Sequence, residues 1–144
     1  MTTDRPISDP SPLPRGGSGE IGRRDTAAPP DILVIDDCAD ICDLVCTILL
    51  ADGFQAVGFT TPDQAYKAVH ALARNIRLLI IACEMPRMSG RKLANWLLQR
   101  QPQSKVILMS SADECGAQLP GALILRKPFG PENLRALMRE ALRN

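Results

Sequence analysis

Two adjacent carboxylates, Asp36 and Asp37, close the apolar run Ile32–Ile35. A hydroxyl, Ser111, follows the run 106–109. An ammonium, Lys127, follows the run 122–125 and precedes Pro128 and Phe129. Carboxylates supply hard oxygens for a divalent cation, or a counter-charge for an ammonium. A hydroxyl is a neutral donor and a lysine a point charge. A fourth run, 78–81, continues into Ala82-Cys83-Glu84-Met85-Pro86. A methyl group offers neither a nucleophile nor a metal oxygen, so this run ends without chemistry at Ala82. Two close carboxylates need a cation when partly buried, and Lys127 is the candidate to supply it.

The stretches that position these residues begin at Asp31. Short apolar runs at Ile32–Ile35, Ala56–Phe59, 78–81, 106–109 and 122–125 read as strands. They are continuous rather than alternating, which predicts burial on both faces, as in a parallel sheet. Helical stretches lie between or after them at Ala39–Ala51, 62–73, 91–100 and 131–142. Alternation of strand and helix predicts a doubly wound α/β domain over residues 31–144. Thr61, Pro62 and Gln64 supply an N-cap, an N1 proline and a capping-box partner. Gly53 suits the left-handed position after the first helix, and Pro131 suits N1 of the last. Between Ser111 and Ala122 there is room for one or two helical turns at most. Gly116, Pro120 and Gly121 also disfavour a helix there. That helix is expected to be short or absent.

Four signals in fixed order resemble the response regulator receiver domain: Asp36-Asp37, Met85-Pro86 with Met88-Ser89-Gly90, Ser111-Ala112, and Lys127-Pro128-Phe129. The resemblance implies a five-stranded parallel sheet of the flavodoxin-like type, with the fourth helix shortened or absent. It also implies a metal and phosphoryl pocket at the carboxyl ends of the strands. Asp36 and Asp37 match the family's metal-binding acid pair. Ser111 matches the hydroxyl, Lys127 the lysine, and Glu84 the position whose backbone carbonyl reaches the metal. The family's acceptor aspartate stands four residues before the proline of Met-Pro, where this chain has Ala82. The aromatic side chain usual three residues before the lysine is replaced by Ile124. The resemblance therefore implies a degenerate receiver with no catalytic residue. No cofactor is required, and Mg²⁺, one anionic ligand short, is expected to bind weakly.

Composition narrows the remaining classes. Seventeen basic against sixteen acidic residues give a net charge of +1, with no general attraction to nucleic acid or membrane. No apolar run is long enough to span a bilayer, and the first 30 residues lack the core of a signal peptide. Residues 1–30 hold six of the twelve prolines and four glycines, and read as a disordered tail. Five cysteines in such a chain are expected to be free thiols. Cys42 and Cys46 fall to one side of the face formed by Ile41, Leu44, Val45, Ile48 and Leu49. They are expected to flank the core rather than fill it. With no Cys-x-x-Cys and the single histidine His70, a conventional zinc site is not supported.

The sequence thus predicts a cytoplasmic, non-enzymatic, single-domain pseudo-receiver of a two-component phosphorelay, with no output domain after the last helix. It would act by phosphorylation-independent contact with a histidine kinase, a phosphotransfer protein or another response regulator. The alternatives are a phosphoryl-accepting regulator with a non-standard acceptor, and a thiol-based redox sensor.

Overall fold

A computed structural model describes residues 31–72, 76–111 and 119–143. The element order is β1 (Ile32–Ile35), α1 (Ala39–Ala51), β2 (Ala56–Phe59), α2 (Pro62–Leu72), β3 (Leu78–Ala82), α3 (Gly90–Arg100), β4 (Lys105–Ser110), β5 (Leu123–Arg126) and α4 (Pro131–Ala141). The five strands form one parallel sheet in the order β2-β1-β3-β4-β5. The doubly wound fold expected from the sequence is the fold observed. The expected disordered tail lies outside the described residues. So do the end of the 62–73 helix and most of the stretch where a short or absent helix is expected.

Every residue of β1, β2 and β3 is buried, as continuous apolar strands require. Alternation divides them between two cores. Ile32, Val34, Leu78, Ile80, Ile107 and Met109 face α1 and α4. Leu33, Ile35, Leu79, Ile81, Val106 and Leu108 face α2 and α3. Helices on both faces are what keeps these strands dry. Just before β3, the buried Ile76 N–H donates to Gln101 Oε1, and the Ser104 hydroxyl donates to the Ile76 carbonyl.

Helix α1 corrects the sequence reading. Cys42 and Cys46 are fully buried, together with Val45 and Leu49, while Leu44 is the exposed large hydrophobic residue. The buried face takes in both thiols together with Val45, Ile48 and Leu49, rather than leaving them beside it. A thiol is a small apolar group that packs where a larger side chain would not fit against the sheet. The Cys42 thiol makes weak contacts with the Val34 and Phe59 carbonyls, both at 3.7 Å.

The helix ends follow local chemistry. At the end of α1, the Gly53 N–H donates to the Leu50 carbonyl and the Phe54 N–H to the Leu49 carbonyl. That pattern is a Schellman motif, with Gly53 at φ +93°. Thr61 Oγ1 accepts from the Gln64 N–H, and Gln64 Oε1 accepts from the Thr60 N–H. Ser89 caps α3 by accepting from the Lys92 N–H.

Gly90 matters for a different reason. Its N–H donates to the Cys83 carbonyl at 2.8 Å, which draws the start of α3 against the end of β3. A Cβ added there would stand 1.9 Å from the Ala82 carbonyl oxygen and 2.8 Å from its carbon. Both are backbone atoms, so neither can step aside. Gly53→Ala meets no neighbour and suffers only the left-handed backbone penalty, about 1–2 kcal/mol. Gly90→Ala must shift backbone, and is expected to cost about 3 kcal/mol or more. Urea unfolding of the two variants checks the order, and equal losses would contradict it.

Candidate functional site

In a sheet of this order, the connections leaving β1 and β3 run to opposite sides, and a crevice opens beyond the carboxyl ends of these two strands. Asp36 and Asp37 follow β1, Ala82 ends β3, Ser111 follows β4 and Lys127 follows β5. All of these sequence-selected residues therefore lie at one end of the sheet. They do not all meet.

Asp36 and Lys127 do. Asp36 is fully buried, and its Oδ2 lies 3.0 Å from the Lys127 ammonium, whose side chain is one-fifth exposed. Its Oδ1 accepts the Cys38 N–H at 2.9 Å. The ammonium stands at ion-pair distance from Oδ2, which accepts no hydrogen bond among the described residues. Lys127 is held from its other end too: its N–H donates to the Ser110 carbonyl at 2.9 Å, and the Lys127–Pro128 bond is cis. Ala82 pairs in register with Met109 and is fully buried in the core that packs against α1 and α4.

Asp37 points elsewhere. It is exposed and lines an open cleft of about 460 Å³ with Cys83, Glu84, Met85, Pro86 and Ser89. The Glu84 carboxylate accepts the Ser110 hydroxyl at 2.7 Å. By strand alternation Ser110 shares the face of Leu108, opposite that of Ala82. Glu84 is thus drawn to the side of the sheet away from Lys127. Ser111, selected from the sequence as the pocket hydroxyl, is exposed on the bend after β4. The buried hydroxyl is its neighbour Ser110, which the sequence reading missed. The only signal available was the serine pair itself, since β4 runs one residue further than its apolar stretch.

The acid pair is therefore split, one carboxylate neutralised and one in solvent. Among the described residues, no group of three or more His, Cys, Asp or Glu side chains is placed to hold a metal ion. With Asp36 committed to Lys127, the residues present do not fit a site that grips a divalent cation through its own side chains. Ile124, at the expected aromatic position, is half-buried against the α2–α3 core.

The thiols also differ from expectation. Cys38 is free and exposed, and Cys42 and Cys46 are free and buried. Cys83, expected to be a free thiol, is disulfide-bonded. It borders the cleft directly after Ala82, and its N–H donates to the Met109 carbonyl at 2.8 Å. The hydrogen bond with Cys42 and burial push the Cys46 thiol far above its ordinary pKa. It stays protonated and unreactive.

The parallel order β2-β1-β3-β4-β5, with a buried carboxylate–ammonium pair at the carboxyl ends, defines the doubly wound class to which flavodoxin-like signalling domains belong. The chain belongs to the response regulator receiver domain family, whose sequence model matches residues 32–139. It is 28% identical over 117 residues to the nitrogen assimilation regulatory protein NtrX of Azorhizobium caulinodans. That match covers 78% of this chain and 26% of the relative, so the chain spans about a quarter of that protein's length. Among solved structures, it resembles a CheY-like receiver domain protein from Methanospirillum hungatei, with a TM-score of 0.71 at 22% identity. That match covers 81% of this chain and 95% of the other. It also resembles the response regulator TrrA of Thermotoga maritima, solved in complex with Mg²⁺-BeF, with a TM-score of 0.67 at 25% identity. There the coverage is 77% of this chain and 97% of the other. No helix among the described residues is long and apolar enough to cross a membrane.

Two outcomes follow from the site. Lys127→Ala leaves the buried Asp36 carboxylate without a cation and should cost about 3 kcal/mol. Asp36→Asn in the Lys127→Ala background should recover part of that loss, because the two groups are coupled. Urea unfolding of the four proteins checks this, and strict additivity would show that the pair does not interact. Separately, iodoacetamide on the native, unreduced protein should modify Cys38 and leave Cys42 and Cys46 untouched. Peptide mapping reads the result, and labelling of Cys46 before unfolding would contradict its burial.

Proposed function

We propose that this receiver domain signals without accepting a phosphoryl group, as a pseudo-receiver in a two-component phosphorelay. The observation that carries the reading is Ala82. It ends β3, fully buried on the same face of the sheet as the Asp36–Lys127 pair. By the receiver resemblance this is the acceptor position, and a methyl group there can neither attack phosphorus nor ligate a metal. Lys127 then has Asp36 as its partner instead of an acceptor, and the pair is complete without a ligand. Asp36, Asp37 and the Glu84 carbonyl make at most a weak Mg²⁺ site, and no cofactor is needed.

The domain acts in the cytoplasm, by contact rather than by catalysis. Its partner is a histidine kinase, a phosphotransfer protein or another response regulator. By the family resemblance, the docking surface is the exposed side of α1 with the neighbouring strand-end loops. Two features support a fixed rather than a switching surface. Ile124 cannot act as the aromatic rotamer that the family couples to its pocket, and a pocket without differential ligand contacts has nothing to shift a two-state equilibrium.

Acetyl phosphate with Mg²⁺, followed by intact mass, tests the proposal. The protein should stay unmodified, and Ala82→Asp should gain a phosphoryl adduct if the pocket geometry survives. A stoichiometric adduct on the unsubstituted protein, at Glu84 or elsewhere, would establish the non-standard acceptor instead.

A further inference from the structure

The other end of the sheet carries a feature that signalling at the strand ends does not use. A cavity of about 420 Å³ lies between the end of α1, the start of β3 and the end of α4. Four arginines line it: Arg77, Arg135, Arg139 and Arg143. Arg135 and Arg139 stand one turn apart on α4, and Arg143 follows just past its end, so the three share one side of the helix. Arg77 joins them from the residue before β3.

Two of the four are already paired. Arg135 reaches both oxygens of Asp52, through Nε at 2.8 Å and Nη2 at 3.3 Å. Arg77 lies 3.3 Å from Asp31. Arg139 and Arg143 have no ion-pair partner among the described residues. Arg135 also reaches Glu132 at 3.1 Å, so Asp31, Asp52 and Glu132 offset part of the charge, and the cavity keeps two unpaired guanidiniums and a net positive charge. The remaining lining is Asp52, held by Arg135, and the apolar side chains of Phe54, Met138 and Leu142.

This combination selects a ligand class. Unpaired guanidiniums match the oxygens of a phosphate bidentately, and better than a lysine would. An apolar lining with one aromatic ring suits a flat, uncharged body. The volume fits one small molecule, whereas an acidic peptide would need an extended groove. We propose that this cavity is a site for a free nucleotide, with its phosphates on Arg139 and Arg143 and its base against Phe54, Met138 and Leu142. The site is independent of the Asp36–Lys127 pocket, which lies at the opposite end of the strands.

Calorimetric titration of the full chain, in low salt without Mg²⁺, tests it with ADP, pyrophosphate and adenosine as probes. ADP should bind saturably, and pyrophosphate and adenosine more weakly, since each keeps half of the contacts. Arg139→Ala combined with Arg143→Ala should weaken ADP at least tenfold. The corresponding lysine pair should fall between, because it keeps the charge and loses the fork. Both arginines are exposed and unpaired, so the variants should keep the parent's thermal midpoint. Lys92→Ala, on α3 at the far end, should bind ADP like the parent. The proposal is overturned by the absence of saturable ADP binding at millimolar concentration, or by folded arginine variants that bind unchanged. It is equally overturned by tighter binding of a short single-stranded oligonucleotide than of ADP, which would make the cavity part of a nucleic-acid surface.

Discussion

A carboxylate removed from water must be matched by charge or hydrogen bonds, and in this protein Asp36 is matched by Lys127. The pair joins the end of β1, near the centre of the sheet, to the end of β5 at its edge. It does so across β3 and β4, so it spans the carboxyl end of the sheet like a tie. The Lys127 N–H on the Ser110 carbonyl fixes the backbone of the same residue, and the Cys38 N–H on Asp36 fixes the entry to α1. Removing either charge would leave the other buried. That is a stronger constraint than the modest net worth of the pair itself suggests.

That constraint shapes what the pocket is able to do. Lys127 has a carboxylate partner in the domain as it stands. The remaining polar groups stand apart from that pair: Asp37 and Glu84 line an open cleft, with Glu84 also accepting from Ser110, and Ser111 is in solvent. The residues that the receiver resemblance groups into one pocket thus occupy three environments. Ala82 sits among them as core, packed rather than poised.

Much of the fold was legible in the sequence because buried parallel strands leave so direct a trace. Ile32–Ile35 and Ala56–Phe59 are apolar from end to end, and their boundaries are those of the strands. Backbone pairing, not side-chain character, carries β4 beyond its apolar run to Lys105 and Ser110. That single residue matters at the site, since a one-residue step along a strand moves a side chain to the other face. It is why Ser111 was selected and Ser110 overlooked. The α1 face was misplaced because leucine was ranked above cysteine, whereas the sheet accepts the smaller thiols and leaves Leu44 in solvent. An odd number of cysteines gave no hint that Cys83 would be bonded. The separation of Asp36 from Asp37 had no sequence signal either, because adjacent identical residues carry no record of which one turns inward.

The position of β1 bears on how the domain is assembled. It is the first strand in the described chain, yet it lies inside the sheet, between β2 and β3. Its neighbour β2 follows after one helix, but a pair of strands is marginal on its own in water. The second flank is closed only when Ile32 meets Leu78 and the residues after them fall into register. Until then, four residues with no polar side chain stand open along one edge. A nascent or partly unfolded chain therefore presents a sticky strand whose rightful partner lies far along the sequence. Such a species is prone to pairing with a neighbour's copy of the same edge. Addition of β3 covers that edge, and β4 must then follow to cover the equally apolar edge of β3.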